Sequence, residues 1–202
     1  IAMYGMQTLK GARNPPIKKE VTFLDFRSEL SAFDKFFHFG EFKSRKTIIS
    51  KQDYLRRYSR YVKDSFHTSR PIKVYSKSGR KPVSYGSNAI AFLSEILGKP
   101  YSHCSILFHN LYGSDGATVL FNYKKKKYSE AFAGRGEFAV AKLIYEISQA
   151  KEGTLVILDE PEVSLHPSAQ EKLKLFLLEA CLKKKLQIVI STHSPKLIEF
   201  LP

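Results

Sequence analysis

Thr154-Leu155-Val156-Ile157-Leu158-Asp159-Glu160 is the stretch that decides the fold. Its apolar run, rich in β-formers and free of charge, predicts a strand buried on both faces, and two carboxylates follow at once. Gln187-Ile188-Val189-Ile190-Ser191 repeats the pattern and runs into Thr192-His193. Between them Pro167 suits the first turn of a helix. Leu173, Phe176, Leu177 and Ala180 then recur at helical spacing, with Lys172, Lys174 and Glu179 facing away. Lys183, Lys184 and Lys185 stand where cations favour a helix C-terminus. Strand, helix and strand in this length predict a βαβ unit with parallel strands. In such sheets ligands gather beyond the carboxyl ends of the strands, and both strands end in chemically capable groups.

Adjacent carboxylates at a strand end can divide two tasks. One oxygen ligand suits Mg²⁺, a hard cation that keeps several waters. The next carboxylate can orient or deprotonate a water attacking a phosphoryl group. Asp-Glu-Pro is also an ordinary turn sequence, so the pair acquires meaning from its neighbours. Those are Pro161-Glu162-Val163-Ser164-Leu165-His166-Pro167 and, after the second strand, Ser191-Thr192-His193-Ser194-Pro195.

This combination resembles the ABC-type ATPases of the SMC, RecF and overcoming-lysogenization-defect (OLD) branch, often grouped as AAA-type ATPase cores. The apolar run with Asp159-Glu160 resembles the Walker B motif of that family. Ser164-Leu165-His166-Pro167 is similar to its D-loop, and Ser191-Thr192-His193-Ser194-Pro195 to its switch-histidine loop. The resemblance implies an α/β fold of the P-loop NTPase type: a parallel sheet flanked by helices, here with a basic α+β insertion. It implies ATP and Mg²⁺ as ligands, with Asp159 holding the metal, Glu160 polarising the hydrolytic water and His193 meeting the γ-phosphate. Ser164 and His166 would lie near nucleotide. Gly134-Arg135-Gly136-Glu137 looks like the signature segment, which in the family acts across a dimer on nucleotide bound by the other subunit. The serine usual there is Gly134 in this chain, so Arg135 is left to supply the missing contact.

A second departure is an absence. None of the 11 glycines stands in Gly-x-x-x-x-Gly-Lys-Ser/Thr, so the sequence holds no Walker A loop. In the family that loop comes early, and Ile1-Ala2-Met3-Tyr4-Gly5 reads as the tail of an apolar helix already under way. The expectation is a part of a longer ATPase whose phosphate loop precedes Ile1. The alternatives are a degenerate module that binds without hydrolysing, and the nucleotide-binding subunit of a membrane transporter.

Upstream the pattern is weaker. Residues 136–150 predict a helix with Phe138, Ala141, Ile144 and Tyr145 on one stripe. Residues 117–122 predict a strand leading into four consecutive lysines at 124–127, placed at a hairpin turn. A short helix is expected over 88–97, ending at Gly98, and strands over 71–75 and 21–26. Tyr54, Tyr58 and Tyr61 share a helical face, with Arg56, Arg57 and Arg60 largely elsewhere. That face either packs on the domain or presents rings that stack on unpaired bases. His103, Cys104 and His109 lack a fourth ligand at zinc spacing.

Charge divides the 202 residues unevenly. Residues 1–128 hold 24 Lys and Arg against 9 Asp and Glu, whereas residues 129–202 hold 9 against 10. The formal net charge of +14 therefore belongs to the first part, expected to be a basic lobe that holds a nucleic acid through residues 10–128. Residues 129–202 are expected to form the ATPase core, paired as a homodimer or head dimer, with an effector protein as a further partner. An aromatic content of 13% and a hydrophobic content of 43% exclude a disordered basic tail. No apolar run reaches the roughly 20 residues that span a bilayer. Two cysteines cannot make a disulfide framework, which favours a reducing cytoplasm.

Overall fold

A computed structural model describes residues 18–199. The order is β1 (Val21–Asp25), α1 (Ala32–Asp34) with a π-turn at Lys35–Phe39, and α2 (Lys51–Thr68). The short strands β2 (Lys73–Val74), β3 (Lys77–Ser78) and β4 (Val83–Ser84) follow, then α3 (Ser87–Leu97), β5 (Tyr101–His109), β6 (Gly116–Tyr123) and β7 (Lys126–Ser129). A 3₁₀ turn at Glu130–Phe132 leads to α4 (Arg135–Gln149), β8 (Leu155–Asp159), α5 (Pro167–Lys184), β9 (Gln187–Ser191) and α6 (Pro195–Ile198).

The parallel sheet has the order β1-β8-β9 and carries the predicted βαβ unit as β8-α5-β9. Its registers align Phe23, Ile157 and Val189 in one row and, two residues on, Asp25, Asp159 and Ser191 in another. A four-stranded antiparallel sheet, β4-β5-β6-β7, packs with α3, α4 and α5 into the main core, around Leu93, Ile106, Phe121, Leu143, Leu158 and Leu173. On α5 the predicted stripe of Leu173, Phe176, Leu177 and Ala180 is buried. Lys184, at its end, donates to the carbonyls of Ile147 (3.0 Å), Ser148 (2.6 Å) and Ala150 (2.9 Å), closing the C-terminus of α4.

Three expectations change. Leu24, Val156 and Leu158 are buried as foreseen, but Phe23 is 61% and Val189 56% exposed. Among the described residues the parallel strands are therefore fully covered on one face only. The division at residue 128 does not follow the packing either, because β1 lies beside β8 and Leu24, Phe26, Leu93 and Cys104 share a core with Phe138 and Leu158. A second, smaller core, around Phe36, Leu55, Tyr58 and Leu111, is the separate part of the basic half. The strand expected over 71–75 is a two-residue pairing of β2 with β3. The reading of residues 1–5 as a helix tail lies outside the described residues.

Candidate functional site

Both strands of the βαβ unit deliver their terminal groups to one edge. Glu160 leaves β8 with φ +49°, a left-handed turn that its N–H secures by donating to Ser191 O at 2.8 Å. The turn aims the carboxylate toward β9, where His193 Nε2 lies 3.3 Å from Glu160 Oε1. The His193 N–H donates to Glu162 Oε1 at 2.8 Å, so a third carboxylate sets the position of the histidine loop. His193 itself is 83% exposed and free to meet a ligand, while the Glu160 side chain is 10% exposed. Asp159, half-buried, has no side-chain hydrogen bond among the described residues and stands in register with Asp25.

One residue that sequence reasoning passed over completes this edge. Arg27, just beyond β1, donates through Nε and Nη2 to the two oxygens of Glu160. Hydrogen bonding to Glu160 and the attraction of its charge hold the Arg27 guanidinium above its usual range. Asp25 builds the turn that aims it, accepting from Arg27 N at 2.9 Å and from Ser28 Oγ at 2.6 Å. The Ser28 hydroxyl and the backbone donors of Ser28 and Arg27 leave the Asp25 carboxyl below the usual range, against a smaller rise from desolvation. The signal was present as Asp-x-Arg-Ser after an apolar strand, but only the parallel register brings β1 beside β8.

The glycine-rich segment is placed partly as expected. Gly134 caps α4 with open space around it, and Gly136 packs against the backbone of Ser164. Arg135, expected to reach a partner's nucleotide, donates within its own chain to Arg27 O. Glu137, expected to contact nucleotide, is instead a buried internal acceptor. It takes hydrogen bonds from Tyr101, from Tyr128 (2.6 Å) and from Gly134 N (3.2 Å), and pairs with Lys99 at 3.0 Å. Burial pushes its carboxyl up, but Tyr101, Tyr128, Lys99 and Gly134 together outweigh that and leave it below the usual range. His166 caps α5, its Nδ1 lying 2.9 Å from Ser168 Oγ and 3.3 Å from Ser168 N, so that nitrogen is engaged in the helix start. Ser164 adopts φ +67° on the exposed loop between them.

The residues fit a magnesium-bound triphosphate in kind. Mg²⁺ takes one or two protein carboxylates and completes its shell with phosphate and water. Asp159, without a side-chain hydrogen bond among the described residues, is the carboxylate that would serve that purpose. No cluster of three or more His, Cys, Asp or Glu able to hold a metal occurs among the described residues. His109, weighed for zinc, has its nitrogens engaged by Thr118 and Leu111 N, and burial lowers its pKa to about 4.

The basic half presents a second concavity, of about 1170 Å³, between α2 and the β6-β7 hairpin. Leu55, Val62, Phe66 and Phe132 line it, with Arg56, Arg60, Lys63, Lys126 and Lys127 around them. None of these five cations has a carboxylate within 4 Å among the described residues. The tyrosine stripe of α2 packs inward. Tyr54 stacks on Tyr58 with centroids 4.4 Å apart and donates to Leu111 O at 2.9 Å, and Tyr58 is buried.

Comparison with known proteins adds the family. No curated protein matches the chain. Among solved structures it is similar to the Smc head domain from Pyrococcus furiosus, crystallised with an extended coiled coil and bound to the C-terminal domain of ScpA. The identity is 16% and the TM-score 0.38, over 55% of this chain and 28% of that one, so this chain spans under a third of that structure's length. No helix among the described residues is long and apolar enough to cross a membrane. Over residues 22–199 the sequence matches the family model described as "AAA domain, putative AbiEii toxin, Type IV TA system". With most of its length inside that match, the chain belongs to this AAA domain family.

Proposed function

We propose that the chain hydrolyses ATP, with Asp159, Glu160 and His193 as the working residues, in a protein that acts on nucleic acid in repair or in defence against phage. The observation that carries the reading is the convergence of Asp159, Glu160 and His193 at the carboxyl edge of the parallel strands, with Glu160 Oε1 3.3 Å from His193 Nε2. Water attacks the γ-phosphorus as the bond to the bridging oxygen breaks, and the electron pair leaves with ADP. Glu160 accepts the proton of that water and His193 meets the γ-phosphoryl oxygens. Asp159 is the carboxylate that would hold Mg²⁺, which when bound offsets charge on the phosphates.

Gly134 and the exposed loop at Ser164 would face a second ATPase domain, giving a head dimer. The unpaired cations around the groove beside α2 support a polyanionic partner, since arginine and lysine without internal carboxylates are free to neutralise phosphates.

Turnover of radiolabelled ATP by the native protein tests the reading. Glu160→Gln should abolish phosphate release while nucleotide still binds, and His193→Ala should slow it by about 10² or more. Undiminished turnover in Glu160→Gln would sink the assignment. ATP binding without turnover in the wild-type protein would favour the non-hydrolysing module. For the polyanion, binding of single-stranded and duplex oligonucleotides should weaken steeply with salt, and insensitivity to salt would remove the nucleic acid from the reading.

A further inference from the structure

We propose that Arg27 is a latch on Glu160, holding the carboxylate while the site is empty and releasing it when the γ-phosphate of a triphosphate takes its place on the guanidinium. The inference rests on the ATPase reading above.

A general base needs a free lone pair facing the water it deprotonates. Here both Glu160 oxygens accept from a single guanidinium fork, and Oε1 also faces His193. Arg27 and His193 therefore engage both oxygens of the base in the resting chain, at three of its roughly four lone-pair sites. The pair is unequal in freedom. Glu160 sits on a fixed turn, with its side chain 10% exposed, whereas the Arg27 side chain is 63% exposed on a long stem. When the contact breaks, Arg27 moves and Glu160 stays where a water can reach it.

The root of that stem is held. Asp25 accepts from Arg27 N and Arg135 donates to Arg27 O, so the swing is confined to the side chain and stays at the sheet edge. The guanidinium exchanges one anion for another, because it pairs with phosphate by the same two-point geometry it uses for carboxylate, and the released Glu160 keeps His193 Nε2 3.3 Å from Oε1. A diphosphate lacks the group that competes for Arg27, so ADP leaves the latch closed. The device thus suppresses proton abstraction until the reacting phosphate has arrived.

Calorimetric titration of the native protein with Mg·AMP-PNP and with Mg·ADP tests this without turnover, using wild type, Glu160→Gln, Arg27→Gln and the double variant. Glu160→Gln should tighten AMP-PNP about five- to tenfold and leave ADP within about twofold, as loss of one charge-assisted pair predicts. In the Arg27→Gln background the Glu160 substitution should change neither affinity. A gain for AMP-PNP that persists without Arg27 reflects charge repulsion by Glu160 alone and overturns the latch. So does an equal shift for both nucleotides, the mark of a structural contact. If Arg27→Gln does not fold, Arg27→Lys, which keeps the charge and loses the fork, should show part of the same coupling. Wild-type protein that binds neither nucleotide overturns the ATPase reading, and the latch falls with it.

Discussion

Gly136 lies so close to Ser164 that a Cβ on the glycine would sit 2.6 Å from the serine carbonyl oxygen. The contact joins the first turn of α4 to the loop leaving Asp159-Glu160. Alanine there must push that loop away, and overpacking of this kind costs about 1–3 kcal/mol, of which the gain in helix propensity returns about 1. Gly136→Ala should lower stability by up to about 2 kcal/mol in urea unfolding. Gly134→Ala meets nothing within 4 Å and should cost only the poorer N-cap, about 0.5–1 kcal/mol.

Glu137 ties α4 to β5 and β7 through Tyr101, Tyr128 and Lys99. Glu137→Ala leaves one buried hydroxyl, one half-buried hydroxyl and a helix N–H without their acceptor, and should cost about 2–4 kcal/mol. Its pKa is lowered in the folded state, so its contribution is present above the unfolded value of 4.5 and lost as pH falls through the folded one. Glu137→Gln should therefore flatten the acid side of a plot of melting temperature against pH.

Glu130 behaves in the opposite sense. Burial raises its carboxyl to about 8, against lowering by backbone donors that include Val119 N at 3.0 Å. The folded chain binds the proton more tightly than the unfolded one, so stability is full below pH 4.5 and declines as pH rises toward about 8. Glu130→Gln should remove a loss on the order of a few kcal/mol between pH 5 and 8.5. Thermal unfolding of the two proteins at those pH values reads it directly. Parallel curves would refute a protonated Glu130.

Lys184 closes the C-terminus of α4 from a neighbouring helix. Lys184→Met keeps most of the stem and removes donors to three carbonyls, which should cost about 1–2 kcal/mol. Amide exchange in the last turn of α4 should rise more than in α5, and uniform acceleration across both helices would contradict the local role.

The chemistry of β8 and β9 was legible because it is local: a strand reads out in five residues and its terminal groups follow in sequence. The α5 stripe was legible for the same reason, since helical spacing is a property of one segment. Arg27 and Glu162 were not, because their meaning depends on which strands lie side by side. Glu137 was misread because a glutamate three residues into a helix serves equally as a ligand or as a cap acceptor, and only the convergence of Tyr101, Tyr128 and Lys99 decides it. The boundary at residue 128 followed charge, which marks surfaces, whereas packing joined β1 to β8 across it.

Phe23 and Val189, exposed on either side of the half-buried Ile157, bear on how this polypeptide behaves in a test tube. A parallel sheet with one wet apolar face, and with β9 unpaired along its outer side among the described residues, is a template for adhesion. Prepared alone at high concentration, these 202 residues should form soluble aggregates before they lose helical signal, and Val189→Lys should delay the onset. Light scattering against concentration reads that onset, and an unchanged onset in Val189→Lys would refute the sheet face as its cause.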